Sequence, residues 1–169
     1  NVIDVELLYD NAMLGVNYNL ANRYGIKNIL GGTNQATEGM SMPAEWNWFK
    51  YDKKNIKDIA KQKNAGKTST FPFIGINSYL YYRYIKRIKW ISILDYLDFN
   101  KEDTIQNLED SFGYKRYPFK HYESIFTRFY QGYILPNKFK VDKRRLHLST
   151  LIIANQMRRE DAIQVLKDP

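Results

Sequence analysis

The segment that decides the fold class is Gly25-Ile26-Lys27-Asn28-Ile29-Leu30-Gly31-Gly32. Its centre, 26–30, is short, apolar and rich in β-branched residues, and glycines bound it on both sides, which predicts a buried β-strand. The preceding residues, 4–24, predict a helix, because an apolar residue recurs at every fourth position and Gly25 is a good helix terminator. The recurring residues are Leu8, Ala12, Val16, Leu20 and Tyr24.

A helix that leads through glycine into a buried strand predicts an α/β fold. Such a strand normally has earlier parallel strands beside it, so a chain that opens on the helix is expected to be a truncated part of an α/β domain. The strand would then keep an unpaired edge, and we expect that edge to favour a partner or self-association.

Most of the remaining chain is predicted to be helical, from capping residues and apolar periodicity. A second short strand is expected over 68–73, and a helix over 121–134 is expected to stop before Pro136. The predicted class is therefore an α/β remnant that is mostly helical. The other expected helices cover 53–62, 77–96, 101–112, 143–154 and 156–166.

The composition excludes several kinds of site. The chain has 169 residues, no cysteine and only two histidines. A disulfide scaffold, a cysteine nucleophile, a thiolate metal site and a histidine-rich metal site are therefore excluded, and no metal ligand is predicted. No apolar run reaches the roughly 18–20 residues that a membrane span needs.

The chain is basic, with a formal net charge of +8, and most of the excess lies in 67–169, where 18 Lys and Arg accompany 11 Asp and Glu. Phosphate groups, nucleic acid and acidic lipid are all candidate partners for such a surplus. Tyrosines alternate with Arg and Lys over 79–94, as in surfaces that bind single strands. A nucleic-acid-binding module is thus the alternative function, although a helix with its rings in a core is the simpler interpretation.

The first candidate site follows the predicted strand, where open α/β sheets bind ligands. Glycine lets backbone N–H groups approach a phosphate, and polar side chains add hydrogen bonds. The alternative is a polar loop in which Thr33 or Asn34 only caps the next helix, and the residues alone favour neither interpretation. The site would comprise Gly32, Thr33, Asn34 and Glu38.

A second cluster lies on the helix predicted near residue 121. It would gather a base, an acid and several donors, which can bind a polar ligand and move protons. A salt-bridged helix surface is the commoner outcome for such a pattern. The cluster comprises Lys120, His121, Glu123, Arg128 and Gln131.

A third cluster of bases precedes and begins another predicted helix and would attract phosphate. It comprises Lys138, Lys140, Lys143, Arg144 and Arg145, with His147 close by. A solvated charge run is again the commoner outcome.

On these residues the chain resembles the N-acetyl sugar amidotransferase family of bacterial surface-polysaccharide biosynthesis, whose members are similar to ATP pyrophosphatases of the PP-loop type. The resemblance covers most of the chain in order, and its most specific block is 120–136. The other matching stretches include Tyr24-Gly25-Ile26-Lys27, Gly32-Thr33-Asn34, Ala36-Thr37-Glu38-Gly39, Lys86-Arg87-Ile88-Lys89 and His147-Leu148-Ser149.

The resemblance implies an ATP-dependent reaction of lipopolysaccharide biosynthesis that converts an acetamido group on a sugar into an acetamidino group. ATP and Mg²⁺ would be the cofactors, a nucleotide-linked N-acetyl sugar the substrate, and a separate glutaminase the source of ammonia. A cytoplasmic location and a homo-oligomer are also expected, and nucleic acid is not an expected partner.

The resemblance also implies residue roles. The loop residues Gly32, Thr33, Asn34 and Glu38 would face the nucleotide. The catalytic residues would be His121, Glu123 and Arg128. The residues that bind substrate or phosphate would be Lys120, Gln131, Lys143, Arg144 and His147.

Two family features, the nucleotide loop Ser-Gly-Gly-x-Asp-Ser and the N-terminal cysteine pairs, do not occur in this sequence. The chain is therefore expected to be the C-terminal portion of such an enzyme and not to hydrolyse ATP alone. A partial nucleotide-binding α/β domain is expected over 1–76, and a helical C-terminal subdomain over 77–169.

Overall fold

The computed structural model describes residues 3–117 and 124–167, and most of them are helical. In chain order the helices and strands are α1 (Leu7–Arg23), β1 (Asn28–Gly31), α2 (Gln35–Glu38), α3 (Lys53–Gln62), α4 (Ile76–Leu80), β2 (Lys89–Ser92), α5 (Lys101–Phe112), α6 (Ile125–Phe129), α7 (Arg144–Ile153) and α8 (Arg159–Lys167). Two π-helical segments extend α4 and α6, over Tyr81–Ile85 and Tyr130–Phe139. A 3₁₀ turn, Ile93–Tyr96, follows β2.

The chain forms two compact units. Unit 1 comprises Asn1–Gly31 and Pro43–Ile91, and unit 2 comprises Gly32–Met42 and Ser92–Pro169. Neither unit is a continuous stretch of chain, because the loop after β1 belongs to unit 2. The functional division at residue 76 stays a prediction.

The two strands pair with each other and run parallel. The backbone N–H of Lys89 donates to the carbonyl of Lys27 (2.8 Å) where the strands begin, and the hydroxyls of Thr33 and Ser92 lie 3.0 Å apart where they end, so both strands advance in the same direction. The strand predicted over 26–30 is confirmed, beginning two residues later and ending one residue later. Its predicted burial is wrong, because Asn28 and Leu30 are exposed and only Gly31 is buried. The strand predicted over 68–73 is wrong, because those residues form turns that end at Phe73.

The long helix predicted over 77–96 is also wrong. It ends with the π-helical turn at Ile85, and Arg87 then adopts a left-handed backbone conformation (φ 57°) that no helix continues. The next residues form β2, whose pairing with β1 satisfies their backbone groups.

α1 buries a different face from the one that its hydropathy predicts. Leu8, Val16 and Leu20 of the predicted stripe are 50%, 41% and 44% exposed. The buried face includes an amide and a glycine, which a hydropathy pattern does not count as core residues. Its members are Leu7, Asn11, Gly15, Tyr18 and Ala21.

The core of unit 1 is built from aromatic rings around Tyr18, Ile74 and Ile88. The rings of Tyr18 and Tyr82 stack with their centroids 5.7 Å apart. Burial raises the pKa of the Tyr18 phenol, so this hydroxyl stays neutral in the core at physiological pH. The simpler interpretation of the tyrosines in 79–94, rings packed into a core, is thus confirmed for Tyr79 and Tyr82.

A buried amide ties three segments of unit 1 together. The Nδ2 group of Asn11 donates to the carbonyls of Lys50 (2.7 Å) and Ile74 (2.8 Å), and its Oδ1 atom accepts from the N–H of Ile74 (3.3 Å). One turn further along α1, a side chain at Gly15 would overlap the carbonyl oxygen of Pro72. α1 therefore lies directly against the backbone of 72–74 at these two positions.

Unit 2 is helical and has an apolar core of its own. α7 and α8 pack through Leu148, Leu151 and Ala162. The helix that begins at Ile125 does not stop before Pro136 as predicted. It continues as a π-helical segment, whose wider turns relieve the clash between a proline ring and the preceding turn.

Candidate functional site

A groove of about 600 Å³ lies between α2 and α7, inside unit 2. One wall is formed by α2 and the residues after it, with Gln35 and Met40, and the other by Leu146, Ser149 and Ile153 of α7. The volume falls in the range of small-molecule sites, roughly 300–1,000 Å³. Two of the predicted clusters, the loop after β1 and the start of α7, therefore belong to helices that pack together.

The loop after β1 is held by its own side chains. Asn34 is buried, and its Oδ1 atom accepts from the N–H (2.9 Å) and the hydroxyl (3.1 Å) of Thr37. The interpretation of Asn34 as the N-cap of the next helix is confirmed, and its nucleotide-binding role stays a prediction. The hydroxyl of Thr33 lies 3.0 Å from that of Ser92, while Gly32 and Glu38 are exposed.

A carboxylate occupies the N-terminal end of α2. Asp95 accepts a hydrogen bond from the N–H of Gln35 at 2.7 Å. A polyphosphate at this helix end would have to displace that carboxylate and would be repelled by it. Among residues 3–117 and 124–167, no group of three or more His, Asp and Glu side chains could hold a metal ion. The N-terminal end of α2, as Asp95 occupies it, therefore does not fit a polyphosphate.

The charges at the start of α7 are partly neutralised. The guanidinium of Arg144 donates to both carboxylate oxygens of Asp142 (3.0–3.3 Å), and the N–H of Arg144 donates to Oδ1 of the same residue (3.0 Å). Burial opposes ionisation of Asp142, but the hydrogen bonds from Arg144 outweigh it and lower the pKa of that carboxyl. Lys143 and His147 are half-buried one turn apart, and the N–H of His147 donates to the carbonyl of Lys143.

The central predicted cluster is only partly described. Lys120, His121 and Glu123 lie outside the described residues. Arg128 is exposed on α6, and Gln131 is half-buried in the π-helical segment that follows. Their predicted roles stay predictions.

Of the residues predicted in the three clusters, none that the structure describes lines this groove. The sequence of the α7 wall has the pattern of an ordinary helix and no motif for ligand binding. The hydroxyls of Ser149 and Thr150 donate hydrogen bonds to carbonyls of their own helix at 2.7 and 3.1 Å. No local pattern marks Gln35 or Met40 as groove residues. Only the choice of the loop after β1, as the carboxyl end of a strand, pointed to this region.

The class of protein is thus one with an α/β unit and a helical unit, in which the helical unit contains a groove large enough for a small-molecule ligand. The comparison with protein families narrows this class, because residues 123–169 match the family model described as LPS biosynthesis protein WbpG-like, C-terminal domain. The matched region contains α6, α7 and α8 and hence one wall of the groove. The expected resemblance to a lipopolysaccharide-biosynthesis family is confirmed for this C-terminal part.

No curated protein and no solved structure matches the chain. Within the described ranges, none of the helices has the length and apolar character needed to cross a bilayer.

Proposed function

We propose that this chain is the substrate-binding portion of an ATP-dependent N-acetyl sugar amidotransferase of lipopolysaccharide biosynthesis. The main support for the proposal is the identity of the two chain segments that form the walls of the groove. α7 lies in the region that matches the lipopolysaccharide-biosynthesis domain, and α2 follows the loop expected to face the nucleotide.

The reaction replaces the oxygen of a sugar acetamido group by nitrogen. ATP, when bound, would supply adenylation of the carbonyl oxygen, so that ammonia from a glutaminase can displace this oxygen as part of AMP. Because Asp95 occupies the N-terminal end of α2, where a polyphosphate would have to displace it, we assign the groove to the sugar and derive no step through the nucleotide.

The groove has the chemistry that an acetamido sugar requires. Met40, Leu146 and Ile153 offer apolar contacts for the methyl group, and the amide of Gln35 can both donate to and accept from sugar hydroxyls. The diphosphate of a nucleotide sugar is anionic, and Lys143, in the turn before Leu146, supplies positive charge to the same helix.

Calorimetric titration of the chain with UDP-N-acetylglucosamine and UDP-N-acetylgalactosamine tests this assignment. We expect one of them to bind, and Gln35→Ala to weaken binding by about tenfold through loss of one or two hydrogen bonds. Gln164→Ala, on the exposed face of α8, is the matched control and should leave the affinity unchanged. Equal affinities for the wild type and Gln35→Ala would contradict the assignment.

The activity itself is tested in the complete enzyme with ATP, Mg²⁺, the sugar nucleotide and ammonium chloride. Arg128→Ala should abolish the acetamidino product while leaving the circular dichroism spectrum unchanged, because a cation there would contact sugar or pyrophosphate. Arg159→Ala, another exposed arginine of unit 2, should retain turnover. Unchanged turnover in Arg128→Ala would remove that residue from the site.

A further inference from the structure

One end of the strand pair in unit 1 carries a cluster of cations, which we name the basic edge. The turns that lead into β1 and β2 lie side by side there, because Lys27 Nζ donates to the carbonyl of Lys86 (3.0 Å) and the N–H of Lys89 donates to the carbonyl of Lys27 (2.8 Å). The basic edge comprises Lys27, Lys86, Arg87 and Lys89 of these turns, together with Arg23, the last residue of the helix before the first turn.

The chain segments that form the basic edge lack carboxylates. The segments that form it, 11–37 and 59–94, contain no Asp or Glu. In the described part of the chain none of its five cations forms an ion pair, whereas Lys50 in the same unit pairs with both Asp4 (2.7 Å) and Asp10 (3.0 Å). The basic edge therefore presents an uncompensated positive field to the solvent.

Large exposed apolar side chains flank these cations in the sequence. Tyr24, Tyr84 and Ile85 are 68%, 69% and 71% exposed, and each lies within two residues of a cation of the basic edge in the sequence. The guanidinium of Arg23 lies over the ring of Tyr24, 5.6 Å from its centroid. Cations beside exposed tyrosine and aliphatic side chains are typical of surfaces that enter the interface of a lipid bilayer.

We propose that the basic edge is a docking surface for an anionic lipid membrane. The five cations would contact headgroup phosphates, and Tyr24, Tyr84 and Ile85 would enter the region between headgroups and acyl chains. Single-stranded nucleic acid would also use cations and rings, but it gives an exposed aliphatic side chain such as Ile85 no stacking partner. An anionic membrane therefore explains more of the exposed side chains of the basic edge than a nucleic acid does. Membrane binding by unit 1 would be separate from sugar binding by unit 2.

Cosedimentation of the full chain with lipid vesicles tests the proposal. Binding should be strong to vesicles that contain phosphatidylglycerol, at least tenfold weaker to pure phosphatidylcholine, and lost in high salt. The triple variant Lys86→Glu, Arg87→Glu, Lys89→Glu should bind phosphatidylglycerol vesicles on the order of a hundredfold more weakly. Ile85→Ser should weaken binding severalfold and leave its salt dependence unchanged.

The control triple variant is Lys54→Glu, Lys61→Glu, Lys67→Glu, which makes the same change of net charge on exposed residues of unit 1 outside the basic edge. It should keep most of the vesicle binding. If the two triple variants lose binding equally, the effect is one of net charge and the proposal is overturned. Binding to single-stranded DNA that depends on the same residues, without binding to vesicles, would also overturn it. Circular dichroism checks folding, and Gln at the same three positions replaces Glu if the reversal unfolds the chain.

Discussion

The two units are stabilised in different ways. In unit 1 the decisive contacts are buried, with a ring cluster around Tyr18 and an amide, Asn11, that is fully inaccessible to solvent. In unit 2 the described ion pairs, such as those of Arg116 and Arg158, lie at the surface. Water replaces a buried contact only in part but replaces most of a surface ion pair, so substitutions at the buried contacts of unit 1 should cost far more than substitutions at the surface ion pairs of unit 2.

The largest effect is expected for Gly15→Ala. The added methyl group would overlap the carbonyl oxygen of Pro72, and backbone in a packed segment cannot move aside like the end of a flexible side chain. We expect the free energy of unfolding to fall by roughly 3 kcal/mol, as for severe overpacking. Urea denaturation followed by circular dichroism measures the change.

Gly32→Ala is the matched control, because a methyl group there would meet no atom within 4 Å. Its free energy of unfolding should stay close to that of the wild type. A Gly15→Ala variant as stable as Gly32→Ala would show that α1 does not lie against Pro72, and the account of unit 1 would fail with it.

The next effect concerns Asn11. Asn11→Ala would leave the carbonyls of Lys50 and Ile74 and the N–H of Ile74 without their partner in a buried site. We expect a loss of roughly 2–3 kcal/mol, since water entering the space restores part of the hydrogen bonding. Asn22→Ala, on the exposed side of the same helix, is the control and should change stability little. Equal losses of stability in both variants would argue against the buried hydrogen bonds of Asn11.

The sequence predicted the elements whose signals are local. The bounds of α3 and α5 were predicted to the residue, because Asp52 and Asn100 cap them and Gly113 ends α5 in a left-handed conformation. β2 was missed because its own residues continue an apolar helical period. Its conformation is decided by pairing with β1, about 60 residues away, which no local pattern reports.

Local sequence patterns also fail to show which face of a helix is buried and which residues form the candidate site. α1 carries apolar residues on two faces, and the buried one is chosen by Asn11 and Gly15, which a hydropathy count ignores. The loop after β1 could be predicted from the rule for strand ends, but the opposite wall of the groove could not. That wall depends on the packing of α2 against α7, which lie more than 100 residues apart in the chain.

A smaller, pH-dependent effect is expected for Asp52 in unit 1. Hydrogen bonds from the N–H of Asn55 (2.9 Å) and the indole of Trp48 (3.0 Å) hold the pKa of the Asp52 carboxyl below its usual range. A group whose pKa is lower in the folded state stabilises the fold above its unfolded pKa, about 3.9, and loses this contribution as the pH falls through the folded pKa. Asp52→Ala should therefore cost about 1 kcal/mol at pH 7.

The cost of Asp52→Ala should shrink at pH 3 and below, where the wild-type carboxyl becomes protonated. Urea denaturation at pH 7 and at pH 2.5 provides the comparison. Asp52→Asn keeps an oxygen that can cap α3 but does not titrate, so its stability relative to Asp52→Ala should depend little on pH. A cost of Asp52→Ala that is the same at both pH values would contradict the role of the charge.

The smallest effect is expected for Arg116 in unit 2, although its geometry is the best of the surface ion pairs described here. Its guanidinium contacts Glu102 (2.6 Å) and Glu109 (2.8 Å), and the hydrogen bond from Arg116 lowers the pKa of the Glu109 carboxyl. Arg116 and Glu102 are exposed and Glu109 is partly exposed, so water and salt replace most of the interaction. Arg116→Ala should return the pKa of Glu109 towards its usual value in an NMR titration. The free energy of unfolding should barely change, and in 1 M NaCl the wild type and the variant should be equally stable. A loss as large as that of Asn11→Ala would mean that this ion pair holds unit 2 together, and the contrast between the two units would no longer stand.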